Sequence, residues 1–124
     1  ETDPRMLATV RRIEEELVTD TGLVLRYRPD GSDGLPGEEA PFLACAFWLV
    51  EQYARTGRLD DADALMERLD ACANDLDLMA EEYDDGQDRM AGNFPQAFSH
   101  LALLRAADAL AQVRAADGAG EAGD

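Results

Sequence analysis

Two adjacent glutamates, Glu81 and Glu82, are the residues of this 124-residue sequence best suited to carry chemistry. They lie in a segment without helical periodicity, ahead of a turn-forming run. A general base must be ionised at the working pH and must hold a water, and a neighbouring carboxylate raises its proton affinity without removing its charge. The pair therefore suits proton abstraction from water, although adjacent glutamates are unremarkable in so acidic a chain.

The residues around this pair have two interpretations that the pattern leaves open. Trp48, Phe94 and Phe98 offer flat apolar faces for sugar C–H groups, but aromatics at helical spacing are more often part of a core. Polar side chains close to them could hydrogen-bond sugar hydroxyls or simply cap the next helix; they are Asn93, Gln96, Ser99 and His100. One hypothesis is a sugar-binding surface with a carboxylate at its edge. The other is a helix whose aromatic residues belong to the core and whose polar residues cap its start.

The other residues capable of chemistry have structural explanations. Glu38 and Glu39 fall at the predicted start of a helix, where the helix dipole favours negative charge. Cys45 and Cys72 lie in apolar helical stretches without a CxxC pair, which indicates reduced, buried thiols. Because His100 is the only histidine, we expect no metal site, and nothing in the sequence calls for a cofactor.

Four helices are predicted to position these residues. Their approximate ranges are 3–19, 38–55, 59–72 and 95–115, and each has apolar residues at helical spacing. Residues 23–28 are predicted to be extended, and 29–37 to form a turn-rich loop. Residues 74–93 are predicted to be irregular with a turn at 84–87, and the low-complexity tail 117–124 to be disordered.

The apolar pattern of the four helices predicts an all-α fold built in layers. The second and fourth helices are apolar nearly all round, whereas the first and third are amphipathic. Buried helices backed by amphipathic ones are typical of helical hairpins that assemble into an α/α toroid, and two hairpins alone would leave the inner faces bare. A compact four-helix bundle is the alternative.

Composition restricts the partners. The chain has 27 acidic and 11 basic residues, a net charge of −16, which disfavours binding to nucleic acid or to anionic lipid. No apolar run approaches the roughly 18 residues needed to span a bilayer, and the N-terminus has no basic and then apolar signal region. We therefore expect a cytoplasmic location and no membrane partner. The chain begins at Glu1 without a Met, so it could have been cut from a longer protein.

Several ordered blocks, over about residues 22–110, resemble glycoside hydrolase family 15, which comprises glucoamylases, glucodextranases and trehalase-like enzymes. The last two blocks are typical of its bacterial branch. The matching blocks are Gly22-Leu23-Val24, Arg26-Tyr27, Gly37-Glu38-Glu39, Phe47-Trp48-Leu49-Val50-Glu51, Gly57-Arg58, Ala80-Glu81-Glu82-Tyr83-Asp84 and Gly92-Asn93-Phe94-Pro95-Gln96-Ala97-Phe98-Ser99-His100-Leu101-Ala102-Leu103.

This resemblance implies that residues 1–116 are the C-terminal portion of an (α/α)6 toroid of helical hairpins, an exo-acting inverting hydrolase of α-glucosidic bonds. The general base of the family falls on Glu81, and Glu82 takes a neighbouring position that tunes the base or binds a hydroxyl. Phe98 aligns with a tryptophan that lines the glucose subsite in fungal members. Glu39 is carried over as a residue near the sugar pocket.

The family's general acid, and the arginine and aspartate that grip glucose, have no counterpart in this chain. A base without its acid should lose most of its catalysis, so we expect the isolated chain to be inactive. The implied partners are the rest of its own catalytic domain and an α-linked glucoside: a malto- or isomalto-oligosaccharide, a dextrin or trehalose. The alternative is a non-catalytic, all-helical interaction module, which an upstream reading frame encoding the other hairpins would disfavour.

Overall fold

The computed structural model describes residues 3–28 and 39–121, and these form an all-α fold with one small hairpin, as the sequence predicts. The four helices are α1 (Pro4–Leu17), α2 (Leu43–Arg55), α3 (Leu59–Asp70) and α4 (Ala97–Glu121). The hairpin consists of β1 (Glu82–Asp84) and β2 (Arg89–Ala91). None of the described helices is long and apolar enough to cross a lipid bilayer.

α1 begins where the sequence predicts. The Asp3 carboxylate accepts a hydrogen bond of 2.8 Å from the Arg5 N–H, and Pro4 occupies the first turn. After the helix the chain turns back, and Val18 forms an isolated bridge with Val24. Within the predicted extended segment 23–28, Val24 is paired in this bridge. The predicted loop 29–37 and Glu38 lie outside the described residues.

α2 is the central helix, in contact with both α3 and α4. Most of its side chains are buried, which confirms the prediction from its all-round apolar pattern; they are Leu43, Ala44, Ala46, Phe47, Leu49, Val50, Glu51, Tyr53 and Ala54. Its predicted start at residue 38 is wrong. Pro41 and Phe42 are extended, because the Tyr83 N–H donates to the Pro41 carbonyl at 3.0 Å and Phe42 forms a bridge with Glu82. Glu39 is therefore not in a first helical turn, and the helix dipole does not explain it.

Two polar groups hold the outer elements to α2. Glu51 is only 6% exposed, and its carboxylate accepts a hydrogen bond of 3.1 Å from Arg105, which joins α2 to α4. The Tyr53 hydroxyl donates to Glu14 of α1 at 2.8 Å, and Arg58 both stacks on the Tyr53 ring and pairs with Glu14 at 2.7 Å. The Glu51 carboxylate and the Tyr53 hydroxyl thus each have a hydrogen-bond partner, which is the condition for burying a polar group without a large penalty.

The segment before α4 is more regular than predicted. β1 and β2 pair antiparallel with Glu82 opposite Ala91 and Asp84 opposite Arg89. The predicted turn at 84–87 is confirmed, with the Gln87 N–H bonded to the Asp84 carbonyl at 3.3 Å. Strands of three residues carry too little alternation to be recognised in a sequence.

α4 differs from its prediction at its end and in the face that it buries. It continues to Glu121, so residues 117–121 are helical where composition predicts disorder. Against α2 it buries mainly alanines, whereas Leu101 and Leu104 are 59% and 65% exposed although the apolar pattern predicts burial nearly all round. Alanine lets two helix backbones approach closely, and the leucines are left as a second, uncovered apolar face. The buried residues of α4 are Ser99, Ala102, Ala106, Ala109 and Leu110.

Phe47→Ala is expected to lower the free energy of unfolding by about 3–5 kcal/mol, because it empties a fully buried ring position in α2. Urea denaturation followed by circular dichroism measures the loss. Leu104→Ala is the matched control: it removes an apolar side chain that is 65% exposed and should change stability by less than about 1 kcal/mol. Equal losses for the two variants would contradict this assignment of the core.

Candidate active site

The candidate site is formed where the segment before α2 meets β1, and it brings the predicted carboxylates together. The Leu43 N–H donates to the Glu81 carbonyl at 3.1 Å, and the Phe42–Glu82 bridge continues this contact. Arg26 then lies between two side chains, 2.8 Å from Glu39 and 3.9 Å from Glu82. Residues far apart in sequence therefore place the carboxylates of Glu39 and Glu82 and the Arg26 guanidinium in a single cluster, beside the segment that carries Glu81.

Glu81 is held by the residue that follows Gly92. Its carboxylate Oε2 accepts hydrogen bonds from the Asn93 backbone N–H at 3.1 Å and from the Asn93 side-chain amide at 2.8 Å. The Glu81 N–H in turn donates to the Asn93 carbonyl at 2.9 Å. Two N–H donors on one carboxylate oxygen stabilise its negative charge and fix its orientation.

Gly92 makes this contact possible. Its φ is +72°, in the left-handed region, and a Cβ added there would lie 2.9 Å from the Glu81 Oε2 and 3.1 Å from the Glu81 Cβ. A side chain at residue 92 would therefore strain the backbone and displace the Glu81 carboxylate.

Glu82 has different surroundings. Burial raises the pKa of its carboxyl, the negative charges of Glu39 and Glu81 raise it further, and Arg26 opposes them. Glu39 accepts hydrogen bonds from Arg26 at 2.8 Å and from the Tyr27 hydroxyl at 3.3 Å. The raised proton affinity predicted for a paired glutamate is therefore found on Glu82.

The segment that carries Glu81 is fastened to the start of α4. The buried Ser99 hydroxyl donates to the Ala80 carbonyl at 2.8 Å, and the Gln96 N–H donates to the Met79 carbonyl at 2.9 Å. His100 accepts from the Met79 N–H at 3.3 Å through Nε2, and its Nδ1 donates to the Gln96 carbonyl at 2.7 Å. The Ser99 and His100 side chains thus fasten the segment that carries Glu81 to α4.

The aromatic residues near the carboxylates are surface residues. Phe98 is 44% exposed and its ring meets that of Trp48 edge to face, with ring centroids 5.6 Å apart. The buried Phe42 ring is 6.3 Å from Phe98, and the Arg26 guanidinium lies over it at 5.1 Å. The interpretation of Trp48, Phe94 and Phe98 as core residues is therefore wrong, and Phe98 and Trp48 belong to the same surface as the Arg26 cluster.

Sequence reasoning did not assign site roles to Arg26 and Tyr27, and it did not predict that Asn93 binds the Glu81 carboxylate. Arg26-Tyr27 occurs in one of the matching blocks, which is the signal that could have identified them. Of the described cysteines, Cys72 is buried and Cys45 is half-buried, and burial raises the pKa of both thiols. Among the described residues, no group of histidine, cysteine and acidic side chains is arranged to hold a metal ion.

Comparison with known proteins identifies the family. Residues 1–108 match the model of Glycosyl hydrolases family 15. The chain is 51% identical over 105 residues to a trehalase of Mycolicibacterium smegmatis, covering 84% of this chain and 16% of that protein. It is 44% identical over 108 residues to a trehalase of Thermoplasma acidophilum, covering 87% and 18%. The chain thus spans about a sixth of the length of these curated relatives. No solved structure matches it significantly.

Gly92→Ala is expected to destabilise the fold by about 1 kcal/mol more than Gly57→Ala. Both glycines have positive φ, at +72° and +80°, but an added Cβ meets Glu81 at residue 92 and nothing within 4 Å at residue 57. Urea denaturation of the two variants isolates the contribution of the Glu81 contact. If Gly57→Ala costs as much as Gly92→Ala, the close approach of Gly92 to Glu81 is not what requires glycine.

Proposed function

The chain belongs to glycosyl hydrolases family 15, and we propose that it is the part of a trehalase-like catalytic domain that supplies the general base, Glu81. Residues 1–116 would form the C-terminal portion of an (α/α)6 toroid in this proposal. Trehalose is the preferred substrate in this proposal because both relatives reported above are named trehalases. Malto- and isomalto-oligosaccharides are the competing α-glucosides.

The observation that carries the proposal is the asymmetric environment of the Glu81 carboxylate. Oε2 accepts two hydrogen bonds from Asn93, whereas Oε1 accepts none from the described residues. One oxygen is thus fixed by the protein, and the other is available to a water. This is the arrangement that a general base requires, since it must hold a water in line with the carbon under attack.

The proposed reaction is a single displacement with inversion. Glu81 removes a proton from water as the water oxygen attacks the anomeric carbon, and a carboxylic acid outside this chain protonates the departing glycosidic oxygen. The two carboxyl groups stand about 6.5–9.5 Å apart in such enzymes, which leaves room for the water. Because the acid comes from elsewhere in the domain, this chain alone is expected to be inactive.

Three further residues are proposed to bind the sugar. Glu82, whose carboxyl has a pKa raised by burial and by the neighbouring carboxylates, can hydrogen-bond a sugar hydroxyl. Phe98 presents a half-exposed ring against which sugar C–H groups can pack. Glu39, which pairs with Arg26 at 2.8 Å, offers a further polar group to the sugar.

The uncovered apolar face of α4 supports the proposal that the rest of the catalytic domain packs there. Leu101 and Leu104 are 59% and 65% exposed, and Phe94 and Phe98 lie close to them in sequence and are exposed as well. Contiguous exposed apolar surface of this kind marks an interaction site. The same face is what a non-catalytic helical module would use, so a test of activity has to separate the two candidates.

Glu81→Gln in the full-length gene product that contains this chain is expected to lower the kcat for trehalose by about 100-fold to 10,000-fold, because glutamine cannot accept the proton. Glucose release from trehalose, maltose and isomaltose is measured for the wild type and the variant. Glu67→Gln, on the exposed side of α3, is the matched control and should retain full activity.

If Glu81→Gln keeps wild-type activity, the assignment of the base is wrong. A wild-type product that hydrolyses none of the three sugars would instead favour the interaction module.

The 124-residue chain alone is expected to self-associate through the exposed face of α4. Leu101→Ser combined with Leu104→Ser should shift it to the monomer, because the change removes two exposed leucines from that face. Sedimentation velocity at several concentrations measures the effect. Leu76→Ser, at a 70% exposed leucine of the loop before β1, is the control and should not change the association. A monomeric wild type would contradict the expected self-association through the exposed face of α4.

A further inference from the structure

We propose that Asn93 is a positioning residue that holds the Glu81 carboxylate in its working orientation and so determines which of the two adjacent glutamates acts as the base. This inference rests on the function proposed above, and it adds a residue through which the base is controlled. Asn93 does not touch the reacting atoms in this scheme; it acts through Glu81.

The first argument is that one residue ties down both the backbone and the side chain of Glu81. The Asn93 carbonyl accepts from the Glu81 N–H at 2.9 Å, while the Asn93 N–H and side-chain amide reach the Glu81 Oε2 at 3.1 and 2.8 Å. A glutamate side chain otherwise samples several rotamers, so these contacts leave Oε1 with a defined direction.

The second argument is that the hairpin delivers Asn93 to this place. The register pairs Glu82 with Ala91, so the next residues outward along the two strands are Glu81 and Gly92, which face each other. Gly92 lacks a Cβ and has a φ of +72°, and it thereby allows the chain to present the following N–H to the Glu81 carboxylate. The position of Asn93 beside the Glu81 carboxylate is thus a consequence of strand pairing.

The third argument is the contrast with Glu82. Its neighbours are a second and a third carboxylate, Glu39 and Glu81, and one guanidinium, Arg26, at 3.9 Å. Burial and those two negative charges raise the pKa of Glu82, and Arg26 opposes them. The structure therefore gives the two glutamates different partners, and Asn93 is the residue that makes the difference at Glu81.

The test uses the full-length gene product and compares kcat and KM for trehalose in the wild type, Asn93→Ala and Asn93→Ser. Asn93→Ala removes one of the two hydrogen bonds to the Glu81 Oε2, because the backbone N–H remains. We expect kcat to fall about 10-fold with little change in KM, since the substitution misplaces the base without removing a sugar contact. Asn93→Ser, which keeps a shorter donor, should lie between Asn93→Ala and the wild type.

Asn74→Ala is the matched control, since it removes an asparagine of the same connecting segment whose side chain caps the N–H groups of Leu76 and Leu78. It should lower the melting temperature and leave kcat unchanged. A purely structural role for Asn93 would do the same, so a fall in kcat at constant KM separates positioning from stability.

Asn93→Ala with a wild-type kcat overturns the inference. If Glu81→Gln is inactive in the same experiment, the proposed function survives this failure; if Glu81→Gln is active, the function and the inference fall together. Where circular dichroism shows that Asn93→Ala is unfolded, Asn93→Ser decides by the same two readouts, kcat and KM, and a wild-type kcat in that variant also overturns the inference.

Discussion

The structure depends on the backbone hydrogen bonds of the short segment 41–43. The Phe42 N–H donates to the Val24 carbonyl at 2.8 Å. On the other side, the Leu43 N–H donates to the Glu81 carbonyl at 3.1 Å and the Pro41 carbonyl accepts from the Tyr83 N–H at 3.0 Å. The return of the chain after α1, the start of α2 and the segment with the two glutamates are joined at this point. Without these bonds, three backbone segments would bury unpaired polar groups, which costs far more than the bonds contribute when formed. The placement of the carboxylates is therefore a by-product of satisfying the backbone.

The segment that carries Glu81 is held from a second direction by α4. Ser99 and His100 use side chains, and Gln96 uses its backbone, to bind the main chain of Met79 and Ala80. Contacts to main-chain atoms restrict the path of the segment and leave its side chains free to differ. Glu81 thus projects from a backbone that is fastened both to the Phe42 junction and to the first turn of α4, which is the rigid support that a catalytic group requires.

Local patterns in the sequence were sufficient for the helices, because helical periodicity records which residues are apolar along a single segment. Local patterns failed where the conformation depends on a contact with a residue that is distant in the sequence. Residues 39–42 have an acidic residue and a proline that suit a helix start, but pairing with β1 keeps Pro41 and Phe42 extended. The contact of Glu81 with Asn93 could not be predicted, because it depends on the register of two three-residue strands. The exposure of the α4 leucines could not be predicted either, because periodicity does not say which apolar face meets a neighbour.

The tautomer of the only histidine has a consequence for how protons move near Glu81. His100 accepts from a backbone N–H through one ring nitrogen and donates to a carbonyl through the other, so both nitrogens are engaged with the main chain. An imidazole in that state has no lone pair left to relay a proton or to bind a metal. Along the described part of the site, proton transfer is then left to carboxyl groups and water.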